Sequence, residues 1–231
     1  MTLHEIYTRY RNPSKTPEIL LLESLDIALS PDKNEYLTLS VLIFRLWAIY
    51  HINEVEKIDG IYKCKLSKLV PLRNGQKDRL LTFRPWFSVR NTLNLITKEN
   101  WKFFVQQVYK QQDENYKECI AYQNKGKAPF ADSFILTEPP IFIQDKQSII
   151  SRKKQIIGDI PKAITKDLMK DEHEKCNIIG DHIFILVTDE KKRDDTDDKL
   201  KDNEVLISSE NMKEVFGDIL ALRKLYCIER A

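Results

Sequence analysis

Beyond residue 97 the spacing of apolar residues switches between helical and extended in a definite order, and that order constrains the fold more than any other feature of the chain. Thr97, Glu99 and the series Trp101, Phe104, Val105, Val108 and Tyr109 predict a helix ending near Tyr116. Extended runs follow: Cys119 to Tyr122, then a glycine turn at Asn124 to Lys127, then Ala131 to Leu136 and Ile141 to Lys146, joined by Thr137-Glu138-Pro139-Pro140. Pro161 opens a helix to about Cys176, with Ile164, Leu168 and Met169 on its apolar face. His182 to Thr188 and Val205 to Ser208 read as strands, and Asn211 to Tyr226 as a last helix. Helices alternating with strands in this way predict an α/β domain with a mixed sheet flanked by helices.

The first 96 residues read differently. Thr16-Pro17 places an N-cap residue before a proline at the first helical position, and Ile19, Leu21, Leu22, Leu25, Ala28 and Leu29 continue a helix that Ser30-Pro31 stops. Leu37 to Val55 predicts a second helix, apolar nearly all round and therefore interior. From Ile61 to Arg90 there are eight basic residues against one acid, Asp78, with strands expected around a turn at Arg73-Asn74-Gly75. The chain accordingly divides into a helical and basic extension, 1–96, and an α/β domain, 97–231.

With 231 residues, 42% of them hydrophobic, the chain can bury a real core. A formal charge of +2 leaves any polyanion to be held by a local cluster, not by bulk charge. Cys64, Cys119, Cys176 and Cys227 form no CxxC pair, which argues against a zinc knuckle or a disulfide framework and for reduced intracellular thiols. No signal peptide is recognised in Met1 to Tyr10. The apolar run Leu37 to Ile52 carries Arg45 and is shorter than the roughly 20 residues of a bilayer span, so no membrane partner is expected. Glu190 to Glu204, with seven acids and five bases, predicts a mobile surface loop.

One segment places polar groups inside buried-looking strands, where they need partners or a task. On Ile141 to Lys146 the side chains alternate, so Gln144 and Lys146 point to one side; a hairpin through Pro139-Pro140 brings Asp132 alongside. Eleven residues separate Asp132 from Gln144.

An Asp on one strand and an acidic-x-Lys tripeptide on the next is the motif of the restriction-endonuclease-like PD-(D/E)XK superfamily, and Asp132 with Gln144-x-Lys146 resembles it. The phrase Ile141-Phe142-Ile143-Gln144-Asp145-Lys146-Gln147-Ser148, with Val187-Thr188-Asp189 and Phe216-Gly217 downstream, is similar to nuclease-like domains of Crinkler effectors and retrotransposon hot spot proteins. The resemblance covers roughly residues 97 to 231. It implies a restriction-endonuclease-like fold and metal-dependent hydrolysis of phosphodiesters, in an effector-like or mobile-element-associated setting inside the cell, with the nucleus one candidate compartment. Asp132, Gln144 and Lys146 become the catalytic residues, with Asp132 and Gln144 holding Mg2+ or Mn2+. Lys146 would activate water or stabilise charge on the phosphate. Glutamine in place of the acid removes one negative charge, so a decayed fold that only binds nucleic acid or a protein partner is the alternative. Family members carry a further acid upstream, for which Glu99, Glu114 and Glu118 are candidates.

Lys162, Lys166 and Lys170 recur every four residues as a basic stripe that could grip phosphates, DNA ahead of RNA. Arg84 and the aromatics Tyr62, Phe83, Trp86 and Phe87 of the basic window offer a similar surface. The competing readings are a solvated helix face and core aromatics beneath surface cations. His4, His51, His173 and His182 show no motif spacing, and no Walker or GxGxxG loop is present.

Overall fold

A computed structural model describes residues 31–52, 54–58, 61–84, 86–111, 118–125, 130–146, 165–176, 178, 180–188, 200–217 and 221. Helix α1 (Pro31–His51) begins earlier than the apolar run, at Pro31, a residue whose fixed backbone angle suits a first helical position. Strands β1 (Glu56–Ile58), β2 (Ile61–Lys65) and β3 (Leu80–Phe83) form a three-stranded antiparallel sheet, with a short helix α2 (Leu66–Leu69) between the last two. The expected turn lies beyond α2, where Gly75 takes φ 75 and Gln76 N–H bonds to the Arg73 carbonyl at 3.1 Å. The helix expected from Pro17 lies outside the described residues.

The larger sheet holds β4 (Trp86–Asn91), β5 (Glu118–Gln123), β6 (Ser133–Ile135), β7 (Ile141–Lys146), β8 (Ile183–Thr188) and β9 (Glu204–Ile207), in that spatial order. β6 is antiparallel to both neighbours and the other pairings are parallel, so β4, β5, β7, β8 and β9 all end at one edge of the sheet, where β6 begins. Helices α3 (Lys98–Gln111) and α4 (Thr165–Cys176) fall where the sequence places them, and a further helix covers 212–217. The mixed α/β architecture expected from the element order is present.

Strand alternation splits the core between the two faces of this sheet. Ile135, Ile141, Ile143, Ile183, Ile185, Val187, Val205 and Ile207 pack with α1, α2, β3 and the 212–217 helix. Phe134, Phe142, Phe184, Leu186 and Leu206 pack with Trp101, Phe104 and Val108 of α3 and with Met169 and Cys176 of α4. α1 lies between the large sheet and the α2–β3 module, which accounts for its lack of a polar face: Leu39, Leu42, Ile43 and Leu46 are all fully buried.

The division at 96/97 needs correction. β4 is a strand of the large sheet, and α1 shares one core with β5 to β9. Thr82 of β3 exchanges backbone hydrogen bonds with Glu138 of the β6–β7 connection at 2.8 and 2.9 Å. The α1 sequence cannot bury itself without the sheet, so the physical reason lies in its own all-round apolarity. Leu200, expected in a surface loop, is buried against the α3/α4 face, and Glu204 opens β9; residues 189–199 of that loop lie outside the described residues.

Candidate active site

Asp132 immediately precedes β6, where its N–H donates to the Ile143 carbonyl at 3.1 Å. Ser133 pairs with Ile143, so Asp132 stands beside Gln144 on the face covered by α4. Both donors to its carboxylate reach Oδ2: Gln144 Nε2 at 2.7 Å and the Asp145 N–H at 2.8 Å. Oδ1 takes no hydrogen bond among the described residues. Burial pushes the Asp132 carboxyl up to about 6, against the opposing pull of the Asp145 N–H, the Lys146 charge and the Gln144 amide.

Gln144 is held at both ends. Burial, with Glu172 and Asp132 nearby, pushes the Cys176 thiol up to about 12, so it stays protonated and its Sγ lies 3.9 Å from Gln144 Oε1 as donor. The amide therefore turns oxygen to the thiol and nitrogen to Asp132. In this conformation Gln144 orients Asp132, with its oxygen turned to the thiol and its nitrogen to that carboxylate.

The fourth member comes from α4. Met169, Glu172, His173 and Cys176, at i, i+3, i+4 and i+7, form the helix's buried face. Glu172, 8% exposed, receives Lys146 Nζ at 3.2 Å and Lys175 Nζ at 2.6 Å. Asp132, Lys146, Glu172 and Lys175 thus make a chain of alternating charge at the strand-end edge of the sheet. Glu172 and Lys175 were not among the sequence candidates. The signal for Glu172 was an acid one turn beyond Leu168-Met169 on the apolar face; of the upstream acids, Glu99 lies exposed on α3, and Glu114 and the Glu118 side chain lie outside the described residues.

Two carboxylates and water suit a magnesium ion, which commonly takes one or two protein carboxylates and keeps several waters. Asp132 through Oδ1 and Glu172 through its carboxylate are the groups that could hold one, although among the described residues no three His, Cys, Asp or Glu side chains gather as a ligand set.

The expected phosphate-binding surface is only partly described. Lys162 and the Lys166 side chain lie outside the described residues; Lys170 is exposed on the face of α4 away from the sheet, 3.9 Å from Glu174. In the basic window the interleaving with aromatics needs correction. Phe83 is buried and Tyr62 and Phe87 pack against the core with Tyr50, because β2 to β4 turn these positions inward. Arg73 donates to the Leu200 carbonyl at 2.7 Å, and Arg79 to the His182 carbonyl at 3.1 Å with Asp181 also in contact, so both fasten the small sheet to the β8–β9 region. Arg84 follows β3 and is half-buried.

Next to Glu172 on the buried face of α4, His173 joins a polar cluster with no sequence signal beyond isolated histidines. His173 Nδ1 lies 2.5 Å from Glu204 Oε1, His173 Nε2 lies 2.8 Å from His182 Nε2, and His182 Nδ1 lies 2.8 Å from the Gly180 carbonyl. A carbonyl only accepts, so His182 Nδ1 carries the proton and its Nε2 accepts from His173 Nε2–H. Glu204 also accepts the Lys201 N–H at 2.9 Å, which favours a carboxylate. Burial alone would raise Glu204, but the His173 hydrogen bond, the Lys201 N–H and the charges of both residues hold it below its ordinary value. Burial lowers His182, keeping it neutral. His173 stacks on Phe184 at 4.6 Å, completing a closed cluster.

The chain matches no family model, no curated protein and no solved structure. Among the described residues no helix is long and apolar enough to cross a membrane.

Proposed function

We propose that the chain is a metal-dependent nuclease that hydrolyses phosphodiester bonds at Asp132, Lys146 and Glu172. One observation carries this reading: Asp132 and the Gln144-x-Lys146 tripeptide, apart in sequence, meet on one sheet face at the edge where the parallel strands end, with a buried acid from α4 closing the group. Open α/β sheets bind ligands at that edge. Asp132 and Glu172 would hold magnesium or manganese, which when bound supplies neutralisation of phosphate charge and a more acidic water. Gln144 fixes the Asp132 carboxylate. Lys146, 39% exposed, donates toward a phosphate oxygen as charge develops there, and Lys175, 63% exposed on the same acid, attracts the neighbouring phosphate.

A second reading has its own observation. The Gln144 nitrogen faces Asp132 and leaves the site one carboxylate short of the commoner motif, which favours a decayed nuclease acting as a nucleic-acid or protein binding module. Titration of divalent ions into wild type and Asp132→Ala separates the two. The nuclease reading expects binding that Asp132→Ala abolishes; equal binding by both proteins, or none by either, favours the module.

A further inference from the structure

At the same edge and on the same face as Asp132 lies a cavity of about 770 Å³, bounded by the end of β4, the segment 92–96 and α3. β4 is the edge strand of the large sheet, so beyond Arg90, the partner of Tyr122, no further strand covers the apolar face of α3 among the described residues. Ile96, Phe104, Val108 and Tyr122 make an apolar, half-aromatic floor. Phe103, 64% exposed, and Leu93, 92% exposed, stand at the mouth.

The amides here are of two kinds. Asn100 on the lining and the buried Asn124 outside it are spent on structure: Asn100 Oδ1 accepts the Thr97 N–H at 2.7 Å and its Nδ2 donates to the Leu95 carbonyl at 3.0 Å. Asn124 Oδ1 accepts the Ile96 N–H at 2.9 Å while its Nδ2 donates to the Ile96 and Ala131 carbonyls at 2.9 and 3.0 Å. The side chains of Asn91, Asn94 and Gln107 make no hydrogen bond among the described residues. An apolar side chain of a protein partner, seated on the floor, would strip these amides of water and give nothing back. A flat ring with donors and acceptors on its edge fits both floor and rim.

Asn124 also ties the cavity to Asp132. Its own N–H donates to the Asp132 carbonyl at 2.8 Å, while its side chain holds the 92–96 wall. β4 and β6 are two strand spacings apart, roughly 10 Å, so a single strand with a phosphate at Asp132 can place a neighbouring base in the cavity.

We infer that this cavity takes one unpaired nucleobase, so that the chain acts on single-stranded or locally unpaired nucleic acid. A base inside a duplex has its pairing edge engaged and both faces stacked, and must leave the helix to enter a closed pocket. The placement of the phosphate rests on the nuclease reading; the affinity for a base does not.

The test measures binding of a 2-aminopurine-labelled single-stranded oligonucleotide and the matched duplex, in chelator, to wild type and to the double variant Asn94→Ala, Phe103→Ala. Both side chains are exposed, so the melting temperature should hold. The single strand should bind tighter than the duplex, and the variant should lose about tenfold in single-strand affinity, as expected for one stacked base, with duplex affinity unchanged. Equal single-strand affinity of variant and wild type overturns the pocket. The same proteins are then assayed for cleavage with magnesium or manganese. Binding through the pocket without cleavage overturns the nuclease reading and leaves the pocket standing. Equal cleavage of duplex and single strand, unaffected by the double variant, overturns the pocket alone.

Discussion

Helix α4 presents two buried polar residues to the sheet, Glu172 and His173, and the clusters they join differ in the way that separates a site from a scaffold. His173, Glu204 and His182 form a closed set in which each ring nitrogen and the carboxylate has a partner inside the protein. Glu172 instead ends in two ammonium groups that reach outward, Lys146 and Lys175, beside an aspartate whose second oxygen takes no hydrogen bond among the described residues. A satisfied network specifies position and offers little to a ligand. An acid with one oxygen open, beside a half-exposed lysine paired to Glu172 at the edge of a parallel sheet, offers a place for a metal-bound phosphate. The comparison teaches that burial of charge alone identifies neither; the unfilled hydrogen-bonding capacity does.

If the clusters differ in this way, variants should divide cleanly into those that affect rate and those that affect stability. The largest effect expected is on rate: Lys146→Ala should lower cleavage by orders of magnitude, because an interaction made in the transition state is lost. Its melting temperature should stay close to wild type. Glu204→Ala should do the reverse. The alanine leaves His173 Nδ1 and the Lys201 N–H without their acceptor, and each buried polar group so stranded costs about 1–3 kcal/mol, so a urea titration should show a clear loss of stability. Comparable loss from both variants would erase the distinction.

Gln144→Glu should have an intermediate effect that depends on the ion. The amide donor to Asp132 becomes a carboxylate facing a carboxylate, so without metal the variant should melt lower than wild type. Magnesium or manganese should recover the loss and bind more tightly than to wild type. A variant indifferent to the ion in thermal scans would remove the metal from this position.

Acid should affect the two clusters in opposite directions. Asp132, raised from its ordinary 3.8 to about 6, holds a proton more tightly folded than unfolded, so its ionisation opposes folding as pH rises through that interval. Metal binding, which needs the anion, should strengthen as pH rises through about 6. His182 and Glu204, both lowered, hold their protons less tightly when folded. Their stabilisation is complete above the ordinary 6.5 and 4.5 and is lost as pH falls below each. Melting curves of wild type and Asp132→Asn between pH 4 and 7 check the signs: the variant should lose the Asp132 contribution and keep the acid-labile one. The smallest effect belongs to Lys175→Ala, which removes an exposed partner of Glu172 and should change stability by less than about 1 kcal/mol.

Much of this was legible in the sequence, and the reasons are specific. Alternation at Ile141 to Lys146 fixed which residues share a face, and the Pro139-Pro140 connection returned the chain so that Asp132 met Gln144. Period could not reveal the division of labour among strands. β4 lies mostly within the basic window, yet its partner is β5, whose Glu118–Gln123 lies beyond α3, and no local signal specifies a pairing across a helix. The His173–Glu204–His182 cluster joins three separate elements and is invisible to spacing for the same reason. Arg73 and Arg79, counted as surface charge, proved to be tethers because their carbonyl acceptors come from distant chain.

The most direct measurement is cleavage of labelled DNA and RNA oligonucleotides by the purified wild-type chain, with magnesium or manganese and again with a chelator. Metal-dependent cleavage that disappears in the chelator and in Asp132→Ala is the predicted result. No cleavage of either nucleic acid with either ion, and none restored by Gln144→Glu, would contradict a catalytic role for Asp132, Lys146 and Glu172.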